Sequence, residues 1–497
     1  MSNLRQPHPS PEAWRWIAGT PGLWARRLPS AVALDALARR LAPVEPHLIW
    51  LDSAQPHPDT GRWSLLAWRP WLIASSLDGV DAPAKCDVVR AGDDPLGAVR
   101  QLLRRYRFTA SMEELPCAPG LLGLFGYELN RWIERLPSPK PAFGRIPDLV
   151  LYGMSAMVLV DHARGQSWCL GMGASKDAAR RQAEACLELA EPCAFGLSLE
   201  PRAASRPVAP TEAGGLEPML SRSEFEAMVR RAKTFIASGD IFQANLSQRF
   251  AGRCQASPLP LYLALRRVNP SPFACLLISP EYAIVSCSPE RLVEARAGRV
   301  ATRPIAGTRP RGATPADDVH QGVELLLSDK ERAEHLMLVD LARNDLGRIC
   351  RYGSVEVNQL MTLEHYSHVM HIVSNVQGAL RPGVDAVDVL RALFPGGTIT
   401  GCPKVRCMEL IRELEPVARG PYTGSLGLLG FDGSVSLNIL IRTLLLQDGQ
   451  AWFHAGAGIV ADSEPDREYE ETLAKGRALV RALSVAAEAP STALAGA

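Results

Sequence analysis

The stretch Leu393–Pro416, LFPGGTITGCPKVRCMELIRELEP, restricts the fold more than any other part of the chain. Pro395, Gly396 and Gly397 demand a tight turn, because paired glycines admit backbone paths that side chains would block. Thr398, Thr400 and Gly401 follow, then Pro403 and Lys404. From Lys404 the residues Val405, Met408, Ile411 and Leu414 recur at helical spacing, which predicts a helix. A glycine-rich turn feeding a helix sets backbone N–H groups, hydroxyls and a lysine side by side, a generic anion cradle. The same pattern also suits a strand–turn–helix corner with no ligand. It is not the phosphate-binding GxxxxGK[ST] loop, since valine follows the lysine.

The rest of the composition narrows the class. With 54 basic and 53 acidic residues the net charge is +1, so nothing calls for nucleic acid or an anionic membrane. No apolar run reaches the length of a membrane span, and MSNLRQPHPSPEAWRW has no signal-peptide core. The 11 cysteines are scattered without a CxxC pair, and residues such as Cys275 and Cys287 sit in apolar settings. They read as reduced thiols of a cytoplasmic protein. None lies in a G-x-C-x-G glutaminase context.

Along the chain, Ser30 is expected to cap a helix burying Leu34, Leu37 and Leu41. Strands are expected over His47–Leu51, Gly61–Trp68, Gly120–Asn130 and Leu149–Val160, followed by a helix over Ser175–Leu189. Residues 198–218, rich in Pro, Ala, Gly and Ser, read as a linker between an N-terminal region (1–197) and a second domain (219–485). Residues 486–497 read as a disordered tail. Beyond the linker, Ser221-Arg222-Ser223-Glu224 opens a helix through Ile236, with Ser221 or Ser223 as its cap. Ile241–Phe250 alternates apolar residues with Gln243, Asn245 and Ser247. A solvated sheet face explains such a row, but three uncharged hydrogen-bonders also suit a lined cavity.

Phe273–Ile278 and Ala283–Ser288 predict a hairpin, Thr302–Thr308 and Tyr366–Gly378 further strands, and Val323–Ile349 one long helix. A second hairpin is expected from Tyr422–Asp432 and Val435–Leu446, with Arg442 deep in ILIRTLLL. A buried arginine needs an anionic partner. Trp452–Val460 carries Gly456-Ala457-Gly458, small residues that let a ligand approach backbone N–H groups. Ser463 is expected to cap the last helix, where Glu464, Glu468 and Glu471 share a face with Lys475 one turn on. That face is either an exposed one with a Glu471–Lys475 pair or, with Glu334, part of a hard-cation site such as Mg²⁺. Before any resemblance, the residues point to a Mg²⁺-dependent enzyme acting on a small carboxylate, with a non-catalytic anion-binding module as the competing class.

The motifs GDIFQANLSQRF, SPER, RPIAGTRPRG, ERAEHLMLVDLARNDLGRI, YSHVMHIVSNVQG, FPGGTITGCPKVRCMELIRELEP and HAGAGIVADSEPDREYEET resemble, in order, those of the chorismate-utilising enzymes. The match runs from about Ser221 to Leu483, with a weaker one at LDS and GLFGYEL. It implies an α/β (α+β) sandwich: large, mostly antiparallel sheets packed together with helices outside. It implies Mg²⁺ held by Glu334 and Glu471 with Glu468 nearby. Gly307, Thr308, Tyr422, Arg442 and the backbone of Gly456, Ala457 and Gly458 would hold chorismate, with Lys404 adding positive charge. Glu290 would be the general acid, His371 would assist the ring chemistry, and Thr400 would hydrogen-bond near the ring. Family members that activate water carry lysine where this chain has Gln243. Ammonia is therefore the expected nucleophile, delivered by a glutamine amidotransferase subunit. Asn245 and the N-terminal motifs favour amination at C4; Ala306, where the C4-aminating members usually carry lysine, argues for amination at C2.

Overall fold

The computed structural model describes residues 15–17, 22–55, 60–79, 81–84, 86–108, 115, 119–194, 215–312, 314–365 and 369–488. Most of the expected linker, residues 366–368 of the expected strand and residues 489–497 of the expected tail lie outside these.

In chain order the strands used below are β1 (Leu48–Asp52), β2 (Trp63–Ser75), β3 (Gly120–Phe125), β4 (Leu149–Asp161), β5 (Gln243–Arg253), β6 (Phe273–Ile278), β7 (Ala283–Ser288) and β8 (Arg291–Arg296). They continue with β9 (Arg299–Thr302), β10 (Ile305–Pro310), β11 (Glu356–His365), β12 (Val369–Ala379), β13 (Ser425–Gly430), β14 (Val435–Asn438), β15 (Thr443–Gln447) and β16 (Gln450–Ile459). The helices used below are α1 (Leu34–Leu41), α2 (Lys176–Ala190), α3 (Arg222–Ala237), α4 (Pro315–Leu327), α5 (Asp329–Gly347), α6 (Lys404–Leu414) and α7 (Pro465–Glu488).

Two antiparallel arms of strands leave β4, whose side chains are buried throughout. One arm runs β4–β2–β1–β6–β7–β15–β16–β5. The other runs β4–β3–β13–β14–β8–β9–β12, with β10 and β11 both on β12. This is the expected mixed α/β architecture of large antiparallel sheets with helices. Two short connections cross between the arms, Pro289-Glu290 between β7 and β8 and Ile439–Arg442 between β14 and β15. The crossings lie side by side: Ile439 N donates to Glu290 O (3.0 Å) and Cys287 N to Arg442 O (3.2 Å).

Several local expectations are corrected. Ala33, not Ser30, precedes α1 and offers no side-chain cap; Leu34, Leu37 and Leu41 are nevertheless buried. The strand from Gly120 stops at Phe125, because the amides of Gly126 and Tyr127 turn to Asp148 O and Gly420 O, and Tyr127–Trp132 winds into a 3₁₀ helix. The single helix expected over Val323–Ile349 is two, since Ser328 leaves the helical region and caps α5 by accepting from Glu331 N. Thr302–Thr308 divides into β9 and β10. The strand expected through Arg442 breaks there, with Arg442 at φ +52°. Val405 is exposed, while Met408 and Ile411 are buried. Ser463 lies outside α7 and accepts from Val460 N. Residues 486–488 of the expected tail are helical.

The expected boundary at 198–218 falls across paired strands. β1 from the first region is hydrogen-bonded to β6 from the second, and β3 lies between β13 and β4. Glu217–Pro218, at the end of the expected linker, pairs with β5. A chain of residues 219–485 alone therefore exposes the edges of β6 and β13, both apolar. We expect it to be insoluble or to lack native far-UV circular dichroism, whereas co-expression with residues 1–218 restores a soluble complex.

Candidate active site

The candidate residues gather where the two arms part. Glu290 sits on the first crossing and is 6% exposed. Its carboxyl is pushed up to about 7, mainly by burial; a hydrogen bond from Thr398 and the positive charges of Arg442 and Lys475 oppose the rise. Thr398 Oγ1 donates to Glu290 Oε1 at 2.6 Å. A carboxyl poised there holds a proton to give at neutral pH, as a general acid must. Thr398 was not singled out for this role in the sequence, which carries no signal that separates it from Thr400.

His371, on β12, faces a neighbouring strand. Its Nδ1 lies 3.0 Å from Gly307 O. A carbonyl only accepts, so Nδ1 carries the proton and the lone pair of the neutral ring is on Nε2. Burial, with Arg442 adding to it, lowers His371 to about 4. Gly307 can present its carbonyl this way because it sits at φ +62° on a bulge of β10, between Ala306 and Thr308. A Cβ there would meet Leu325 Cδ1 at 2.9 Å. Thr308 stands opposite His371 in register.

β5 and β16 form the other wall. Asn245 pairs with Gly458, Leu246 with Ala457 and Ser247 with Gly456. A Cβ on Gly456 would lie 2.8 Å from Asn245 Oδ1 and 3.0 Å from the Tyr422 hydroxyl; on Gly458 it would lie 2.6 Å from Gln243 Nε2. The small residues thus make room for the protein's own polar groups. Asn245 Oδ1 and Gln243 Oε1 are buried without a hydrogen-bond partner. Carbonyl oxygens so placed call for an N–H or O–H donor. Tyr422 is held by a stack on His454, centroids 5.3 Å apart.

The carboxylates come from α5 and α7. Burial raises Glu334, and the negative charges of Glu331, Glu468 and Glu471 add to the rise while Lys330 opposes it. Glu468 is raised by burial too, with Glu471 contributing. The Glu471–Lys475 pair forms at 2.7 Å, and Lys475 Nζ also donates to Gly456 O at 2.9 Å. Among the described residues no three acidic, histidine or cysteine groups are close enough to hold a metal by themselves. Carboxylates that converge in this way still fit a hard cation that takes one or two protein ligands and fills the rest with water or substrate.

Two predicted residues do other work. Lys404 Nζ is 2.5 Å from Asp345 Oδ2 and donates to Leu393 O, so its charge is neutralised on α5 rather than turned to a ligand. Thr400 is fully buried and donates to Gly396 O at 2.8 Å, inside its own loop. The generic anion cradle read from the loop therefore lacks its lysine. The sequence reading also missed Arg419, buried directly behind this wall. Its guanidinium donates to Glu415, Asn245 O and Ile399 O.

The profile of the chorismate binding enzyme family matches residues 75–481. Aminodeoxychorismate synthase component 1 of Bacillus subtilis (strain 168) is 41% identical over 450 residues, covering 90% of this chain and 94% of that protein. Anthranilate synthase component 1 1 of Haloarcula marismortui is 43% identical over 406 residues, covering 80% and 82%. The crystal structure of anthranilate synthase component I from Streptococcus pneumoniae TIGR4 superposes with a TM-score of 0.72 at 33% identity, covering 86% of this chain and 93% of that one.

The raised carboxyl of Glu290 has a cost in stability. Its folded value of about 7 lies above its ordinary 4.5, so the favourable term is full below about 4.5 and is lost as pH rises through about 7. Glu290→Gln should therefore stabilise the protein above pH 7, by on the order of 3 kcal/mol, with the gain fading toward pH 4.5. Thermal unfolding of both proteins across that range measures it.

Proposed function

The chain belongs to the chorismate binding enzyme family, and on that premise we propose that it is an aminodeoxychorismate synthase component I. In this reading it converts chorismate and ammonia to 4-amino-4-deoxychorismate, with ammonia from a glutamine amidotransferase subunit and Mg²⁺ as cofactor. The observation that carries the reading is Glu290, a buried carboxyl still protonated near neutrality between Thr398 and the charge of Arg442. Such a group suits removal of a hydroxyl from an anionic ring.

The residues divide the work. Arg442 and Lys475 supply positive charge beside Glu290 and His371, where a dicarboxylate would sit. Tyr422 and the backbone of Gly456–Gly458 line the ring's other side. Gln243 and Asn245 offer acceptors to an incoming N–H donor. As ammonia bonds to C4 the C4–O bond breaks, Glu290 gives its proton to the departing hydroxyl, and water leaves. The ammonium product then returns a proton to the Glu290 carboxylate, which closes the cycle. Glu334 and Glu471, with Glu468 nearby, would hold Mg²⁺, which when bound supplies a Lewis acid for a substrate carboxylate. His371, neutral with Nε2 as its base, would assist ring proton transfers. Gln243 lacks the amine needed to activate water, which supports ammonia as the nucleophile.

Ala306 favours a second reading, anthranilate synthase component I, because it removes a lysine nucleophile at that position. Lys404 and Lys475 are both engaged in ion pairs. In the first reading ammonia attacks C4 directly.

Incubation with chorismate, Mg²⁺ and ammonium decides between them. We expect a product of the mass of 4-amino-4-deoxychorismate, with pyruvate released only when a lyase is added. Pyruvate with fluorescent anthranilate, without a lyase, makes the second reading correct. The single chain should use ammonium at alkaline pH and fail with glutamine; glutamine-dependent turnover by the purified chain alone refutes the partner.

Glu334→Gln should cost at least about a hundredfold in Mg²⁺-dependent turnover, a typical loss for a residue acting in the chemical step, with thermal stability unchanged or raised. Turnover near that of the parent removes Glu334 from the metal site.

A further inference from the structure

We propose that the Lys404–Asp345 ion pair is a positioning device for the general acid: it clamps the loop between Leu393 and Lys404 onto α5 so that the Thr398 hydroxyl stays on Glu290. The inference rests on the catalytic reading of Glu290 given above. Lys404 thereby acts through its neighbours and not on substrate.

The geometry is that of a clasp. Lys404 closes the loop's far end, and its Nζ also takes the carbonyl of Leu393 at the near end, 3.3 Å away. Asp345 anchors both, its oxygen 2.5 Å from Nζ, with the two side chains only 10% and 13% exposed. Asp345 follows Glu334 by eleven residues on α5, about three turns, so the two share a face of that helix. Between them lies Leu341, and a Cβ on Gly397 would come within 2.3 Å of its Cδ2. The loop backbone therefore rests directly on the helix. Thr400 is turned back onto Gly396 O, and Thr398 is left projecting to Glu290 at 2.6 Å. Glu290, Thr398, Gly396, Leu341 and Asp345 line one small cavity between loop and helix. The charged groups acting on Glu290 are Arg442 from the second crossing and Lys475 from α7.

The clasp has a chemical consequence. A hydroxyl donating to Oε1 leaves Oε2 as the oxygen that carries the proton, so the acid delivers it from one place. The same hydrogen bond stabilises the carboxylate once the proton has gone. Without it the carboxyl gives up its proton less readily and turns more freely.

Full-length Lys404→Met, Thr398→Val and the double variant test the clasp. Turnover of chorismate is read at fixed un-ionised ammonia from about pH 6 to about pH 9. The ionisation of Glu290 is read in the ligand-free protein by infrared difference spectra against Glu290→Gln. Lys404→Met and Thr398→Val should each move the pH at which turnover falls upward by about one unit, the size of one hydrogen bond to a charged group. Each should lower kcat about tenfold with little change in KM. The double variant should be no worse than either single, because both remove one hydrogen bond. A raised KM with an unchanged pH profile and multiplying effects would mean that Lys404 acts on substrate, and overturns the proposal. A lower Tm alone, with profile and kcat intact, overturns it as well. If Lys404→Met does not fold, Lys404→Met/Asp345→Leu removes both buried charges together and takes its place. If the parent chain does not turn over chorismate, it is the proposed function that fails; the infrared shift still decides the clasp.

Discussion

Arg419 holds the candidate site in one piece. Its guanidinium is almost completely buried and donates to both carboxylate oxygens of Glu415, at 2.9 and 2.6 Å. It also donates to Ile399 O on the loop at 2.9 Å, to Asn245 O on β5 at 2.6 Å and to Thr423 Oγ1 at 3.3 Å. Its backbone N–H goes to Glu128, from the first half of the chain. Glu415 in turn accepts from the backbone N–H and hydroxyl of Ser247. One charge thus fixes the relative placement of a strand, a loop and a turn that each carry site residues. Breaking such a pair leaves an uncompensated buried charge, a penalty of about 3–5 kcal/mol, so these segments cannot shift independently at low cost.

The second constraint is the division of the sheet. Strands that leave β4 in opposite directions must separate, and the chain that joins them has to cross the gap. Glu290 and Arg442 stand on the two short crossings. Both are places where ladder hydrogen bonding lapses and a side chain can face the gap instead of a neighbouring strand. Arg442 takes a left-handed backbone conformation there, which a non-glycine residue adopts only when its surroundings require it. Gly307 serves the opposite wall in the same manner, its bulge turning a carbonyl onto His371.

The electrostatics of the gap follow from burial more than from pairing. Desolvation raises Glu290 to about 7 and lowers His371, so near neutrality one still exchanges a proton and the other is neutral with a lone pair. The partnerless oxygens of Gln243 and Asn245 and the carboxyls of Glu334 and Glu468, raised mainly by burial, are further unfavourable arrangements. A fold selected for stability alone would avoid them, and their concentration at one place is what makes it the candidate site.

Much of this was legible in the sequence, for identifiable reasons. The hairpin of β6 and β7, the capping box at Ser221 and the helix from Lys404 rest on local rules: strand alternation, an Ser-x-x-Glu cap and apolar spacing. The ordered motifs named the family and brought Glu290, His371, Arg442 and the glycines of β16 together as candidates. The break at Ser328 carries the same Ser-x-x-Glu signature, with Glu331; what the sequence could not say is that β1 and β3 would pair across the apparent linker, since those pairings join residues far apart in the chain. Nor could it tell which hydroxyl of TIT faces the acid. Thr398 and Thr400 are chemically alike and two residues apart; only the packing of Gly397 on Leu341 and the turn back to Gly396 O aim one outward and bury the other. Lys404 is the same lesson in charge: its residue type fixed that it would seek an anion, and tertiary structure alone, by setting Asp345 of α5 beside it, decided that the anion belongs to the protein.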